Sequence, residues 1–218
     1  MKKSLSAIAL GLLSVSLPFS VLAHHPLGSM PMETFNHGLL SGAGHPVLGF
    51  DHLFFVLLMG VASVFTANRL LTPLAYIAAM LIGCLITALW TSIPATEFIV
   101  ALSLLILGGM LLSGREFNAA TLIVAFAAFG LFHGSAFGAS IAAQESGFGV
   151  QVLVGYLVGL GFIQYTLALI GGALCASIWK ASSASALQPR LAGAMVTGVG
   201  LYLVLEHAEG PLLQLLSS

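Results

Sequence analysis

Six stretches of this 218-residue chain run for about 20 residues each with almost no charge, a pattern that leaves few folds open. They cover residues 46–67, 70–91, 95–113, 119–140, 150–179 and 191–209, each near the length a helix needs to cross bilayer hydrocarbon. Only 6% of the residues are charged. A soluble domain carries roughly a quarter, because a water-facing surface has to be covered with something polar. Most of this surface must therefore face lipid, in keeping with a mean hydropathy of +1.08. The expected fold is all-α: a polytopic membrane bundle of six transmembrane helices over residues 46–218, after a cleavable signal peptide. The fifth run is overlong and should tilt or extend beyond the membrane.

The first 23 residues read as the signal peptide. Lys2 and Lys3 form a positive start, Leu5 to Val15 a short apolar core, and Val21-Leu22-Ala23 a small-residue cleavage site. Residues 24–45 then form a periplasmic leader rich in Gly, His, Pro and Met. With the mature N-terminus outside, the joints after runs one, three and five face the cytoplasm. Those joints hold Arg69, Arg115, Lys180 and Arg190, all the Lys and Arg of the mature chain, whereas the outer joints hold Glu97 and Glu145. This is the positive-inside distribution. It predicts a bacterial inner membrane protein with both mature termini in the periplasm. The net charge of −1 offers no footprint for nucleic acid. Cys84 and Cys175 lie apart in apolar runs and read as small buried hydrophobes. Spacings such as Gly155-x-x-x-Gly159 and Gly130-x-x-x-Gly134 suit close helix contacts.

An ionisable group inside a membrane span is costly and is by default a functional candidate. The first run opens His45-Pro46-Val47-Leu48-Gly49-Phe50-Asp51-His52. Pro46 suits the first position of a helix, which would set His45 at the helix mouth and Asp51 and His52 about two turns further in. In one continuous helix His45 and His52 share a face, with Asp51 to the side. Imidazole with carboxylate suits a divalent transition metal better than magnesium or calcium. A proton relay without metal and a structural ion pair are the rival readings of Asp51-His52. The topology puts other candidates in the outer half of the membrane: His133 in run four, Glu97 at the start of run three, and Glu206 and His207 at the end of run six. Gln164 and Tyr165 fall mid-span in run five. In the leader, cleavage would expose His24 beside His25, with Met30, Met32, Glu33 and His37 following, which reads as a flexible capture segment. No HExxH, HxxEH, GxSxG or P-loop pattern occurs, so neither an enzyme nor an ATP-driven pump is expected.

The string His45-Pro-x-x-Gly49-x-Asp51-His52 resembles the signature of the HupE/UreJ family of hydrogenase and urease accessory membrane proteins. His24-His25-Pro26-Leu27-Gly28, His133-Gly134 and Glu97-x-x-x-Ala101-Leu102-Ser103 are similar too, and the likeness spans nearly the whole chain. The larger nickel/cobalt transporter family has a similar helix motif with four residues between His and Asp, where this chain has five. The resemblance implies a secondary permease for Ni²⁺ or Co²⁺ serving metalloenzyme maturation, with His45, Asp51 and His52 as ligands. On that reading His24, His25 and His37 capture the ion, and His133 with Glu97 or Glu206-His207 completes the site. Ligands bind metal deprotonated, so exchange of a proton for the ion at Asp51 would couple uptake to the proton gradient. A non-transporting metal-delivery or assembly factor is the alternative, and export would use the same residues. The expected partners are the metal ion and the lipid bilayer, with self-association into a homo-oligomer left open. No prosthetic group is expected; nickel or cobalt enters as the transported ion.

Overall fold

A computed structural model describes residues 31–143 and 149–217, with side chains as far as residue 209. The expected signal peptide, its cleavage site, His24, His25, Met30 and Glu145 lie outside the described residues. The described elements are helical: α1 (Phe35–Leu48), α2 (Phe50–Val64), α3 (Thr72–Leu89), α4 (Thr96–Leu112), α5 (Ala119–Ala142), α6 (Val150–Ala173, running on through a π-helical turn at Leu174–Ile178) and α7 (Leu187–Ser217).

Four helices, α3, α5, α6 and α7, are long and apolar enough to cross a membrane, or five spans if α1 and α2 count together as one broken span. The apolar α4 has 17 residues. The outward faces are those of a protein in lipid: Phe162 is 70% exposed and Val124 69%. The tightest pairings are α3 with α5, α1 with α6, and α4 with α7. Glycine makes them possible, because a methyl on Gly134 would fall on the Met80 carbonyl and one on Gly159 on the Leu39 carbonyl. The register of these contacts also sets direction. Gly130 meets Tyr76, Gly134 meets Met80 and Gly138 meets Cys84, so α3 and α5 run parallel. Gly155 meets Phe35 and Gly159 meets Leu39, so α1 and α6 are parallel as well. Gly108 meets Thr197 and Gly200 meets Leu105, so α4 and α7 are antiparallel. Cys84 and Cys175 are buried free thiols, as small hydrophobes would be.

The start of the first run departs from expectation. Pro46 does not open a helix; it lies inside α1, and the chain breaks three residues later at Gly49 with a bend of 82°. Pro46 has no N–H to give to the preceding turn, which weakens the helix there. Gly49 then takes an extended ψ of 101°, ending α1 and starting α2. His45 and His52 therefore do not share one helix face. The leader is also ordered earlier than expected. Thr34 caps α1 by accepting the His37 N–H, Met32 is buried in the core, and Gln151 Nε2 donates to the Glu33 carbonyl at 2.6 Å. From Met32 onward the leader is thus packed against the bundle.

The joints after α2, α4 and α6 gather at one end of the bundle. Phe65, Arg115, Phe117 and Ala184 line one small cavity there. Arg190 Nε donates to the Leu112 carbonyl at 3.0 Å, supplying a cation to the C-terminus of α4. Asp51 and His52, in the first turn of α2, lie at the opposite end of that helix.

Candidate metal site

The break at Gly49 builds the site. Asp51 and His52 fall in the first turn of α2, where the helix dipole favours a negative charge. A Cβ on Gly49 would stand 3.0 Å from His52 Cδ2 and 3.2 Å from Asp51 Oδ1, so the missing side chain is what lets both residues fold back over the bend. His133, Phe137 and Ser140 come from one face of α5, and Ser103 comes from α4.

His52 Nδ1 lies 2.8 Å from His133 Nδ1, with both rings buried. His133 Nε2 lies 2.9 Å from Ser103 Oγ, and Ser103 Oγ donates to the Val100 carbonyl at 2.6 Å. Together these bonds assign the protons. The Ser103 hydroxyl has one hydrogen and commits it to Val100, so toward His133 its oxygen accepts. His133 Nε2 must then carry a hydrogen, which in a neutral ring leaves Nδ1 as an acceptor. His52 Nδ1 therefore donates to it. Neutral His52 is left with a bare Nε2, and that atom stands 3.7 Å from Asp51 Oδ2. Two groups with lone pairs, an imidazole nitrogen and a carboxylate oxygen, thus flank a gap that calls for a proton or a cation. The Asp51 side chain is 27% exposed against 6% for His52, so the gap is reached from the Asp51 side.

The surroundings hold the rings in place. Phe137 packs on His52 at 4.3 Å between centroids, Phe55 on His133 at 4.5 Å, and Tyr76 meets His133 edge-on at 5.6 Å. His45 closes the outer side, its ring 6.5 Å from that of His52 and its Nδ1 3.3 Å from Ser140 Oγ.

Of the residues singled out from sequence, the fold brings His45, Asp51, His52 and His133 together. The other described candidates lie elsewhere. Glu97 is exposed in the first turn of α4, and Glu206 and His207 are exposed on α7, where His207 Nδ1 bonds the Leu203 carbonyl at 2.7 Å. His37 stays local, accepting the Glu33 N–H at 3.2 Å. Among the described residues no three of His, Cys, Asp and Glu converge closely enough to hold an ion. Sequence reasoning had no role for Ser103, Ser140 or Tyr76. Hydroxyls in apolar helices were the available signal, but their partners sit on other helices and no spacing reveals them.

The chain matches the family profile described as HupE / UreJ protein over residues 9–203, most of its length. It belongs to the HupE/UreJ family. This is a family of membrane accessory proteins of hydrogenase and urease. No curated protein and no solved structure is matched. In this HupE/UreJ chain the motif spaced His45, Asp51 and His52 is one helix break seen from both sides.

Proposed function

We propose that this HupE/UreJ protein is a secondary transporter moving Ni²⁺ or Co²⁺ across the bacterial inner membrane for metalloenzyme maturation. The observation that carries the reading is His52 Nε2 set 3.7 Å from Asp51 Oδ2, with its other nitrogen 2.8 Å from His133 Nδ1. Ligating histidines characteristically donate the second ring N–H to a fixed acceptor, which sets the tautomer and aims the lone pair. His133 and Ser103 do that here, so His133 orients the ligand His52. Two ligand atoms about 2.0–2.1 Å from an ion would be about 3.4 Å apart in a tetrahedral site, a few tenths of an ångström from the distance observed. Two protein ligands leave the remaining positions to water and to His45 or the leader histidines. Such loose holding suits passage, which requires binding weak enough for the ion to leave.

The helix directions support a chain that crosses the membrane six times. Alternating crossings require runs two and four, and one and five, to be parallel, and runs three and six to be antiparallel. The glycine contacts have that parity for runs two and four and for runs three and six, and α1, which leads into run one across the Gly49 bend, is parallel to run five. The end bearing Arg69, Arg115, Lys180 and Arg190 is then cytoplasmic. The His52–Asp51 gap faces the periplasm.

The test is Ni²⁺ influx into proteoliposomes containing the purified protein and an entrapped metal-sensitive dye. Saturable influx that is lost in Asp51→Asn supports the assignment. Metal binding with no flux would make the protein a delivery factor instead.

A further inference from the structure

Below the His52–His133 pair lies a second buried polar pair. Tyr76 on α3 donates its hydroxyl to Gln164 Oε1 on α6 at 2.8 Å, and both side chains are fully buried. The other half of the amide, Gln164 Nε2, has no hydrogen-bond partner. A buried amide without a partner is costly anywhere and most of all in a bilayer, where no solvent can serve it. Packing gives no reason for it, since an apolar chain would fill the same space without that cost.

Its place suggests the reason. The Tyr76 ring touches His133, which stands between Tyr76 and His52. One helical turn beyond Gln164 toward the cytoplasmic end, Ala168 lines a cavity of about 250 Å³ between α2, α3 and α6, with Arg69, Pro73, Gly172 and Ser177. No carboxylate, thiol or imidazole lines that cavity. A cation reaching it would find no strong ligand and would be repelled by the Arg69 guanidinium, so it would not be retained there. Between Gln164 and the cavity the helices touch where Gly60 meets the Ala168 carbonyl, so the route is closed in this conformation.

We propose that Tyr76 and Gln164 form an inner relay step that takes a partly hydrated divalent cation from the His52–Asp51 site and hands it to the Arg69 cavity. The step rests on the transport reading above. The amide suits it, because turning it over lets Nε2 donate to the Tyr76 oxygen and frees Oε1 to accept from the ion's water. One residue thus offers a donor to water when empty and an acceptor to a hydrated cation when occupied.

The test compares wild type, Gln164→Met, Gln164→Glu and Tyr76→Phe for Ni²⁺ influx into proteoliposomes and for Ni²⁺ binding by calorimetry. In Gln164→Met the maximal influx rate should fall at least tenfold, while half-saturation, binding affinity and thermal stability stay at wild-type values. Gln164→Glu, which keeps an oxygen acceptor, should recover much of the rate, and Tyr76→Phe should lower it several-fold. Wild-type influx in Gln164→Met overturns the relay. So does a loss of influx that tracks lost stability or lost binding, which would make the pair structural. If Gln164→Met does not fold, Tyr76→Phe carries the same comparison. Absence of influx in the wild-type protein removes the transport reading itself, a result distinct from all of these.

Discussion

Replacing His133 tests whether it orients a ligand or is one. In His133→Leu the donor at His52 Nδ1, 2.8 Å from its acceptor, is left in a dry core without a partner. An unsatisfied buried donor costs about 1–3 kcal/mol, and that should appear as lost thermal stability in detergent. The second effect falls on metal. With no acceptor behind it, His52 gains by moving its hydrogen to Nε2, the nitrogen 3.7 Å from Asp51, and the lone pair leaves the gap. Loss of such an orienting partner typically lowers metal affinity about 10–100-fold, or roughly 1.4–2.8 kcal/mol. His133→Asn separates the two roles. Its side-chain oxygen can take the place of Nδ1 and still accept from His52, although it cannot also reach Ser103 as the ring does. Calorimetric titration with Ni²⁺ should find His133→Asn within about fivefold of wild type and His133→Leu well below both, on the scale above. Wild-type affinity in His133→Leu would refute the assigned tautomer. Equal losses in Asn and Leu would make His133 a direct ligand.

Other perturbations have equally definite outcomes. Asp51→Asn keeps the shape of the gap but removes its charge, and cells lacking other nickel uptake should then fail to accumulate metal at trace concentrations; undiminished accumulation would end the proposed role of Asp51. Gly134→Ala drives a methyl into the Met80 carbonyl and should destabilise the protein by about 1–3 kcal/mol, measured as the thermal midpoint in detergent. Gly109→Ala meets nothing within 4 Å and should be neutral or stabilising by up to about 1 kcal/mol through helix propensity. Wild-type stability in Gly134→Ala would show that the α3–α5 contact is less tight than described. Thr34→Ala removes the cap of α1 and should cost about 1 kcal/mol, seen as faster amide exchange in the first turn of that helix.

Much of this protein could be read without coordinates, for a physical reason. A bilayer forces each span to be helical and apolar, so hydropathy alone marks the spans, and the few charges mark their ends. The same constraint made Asp51, His52 and His133 stand out, since a titratable group in that setting needs a purpose. The folded chain decided what periodicity could not. Pro46 read as the start of a helix because it suits that position, yet α1 forms ahead of it by packing Gly38 and Gly42 on α6, and Gly49 takes the bend. The expected topology puts Glu97, Glu206 and His207 at the depth of His133, but they lie on exposed faces, because depth says nothing about which way a helix is turned. The role of His133 was likewise out of reach. It follows from one hydroxyl hydrogen on Ser103, from a different helix, whose commitment to Val100 sets both imidazole tautomers in turn. Sequence determines which groups are present and which runs carry them; only tertiary contact decides which of their lone pairs are committed and which are left open.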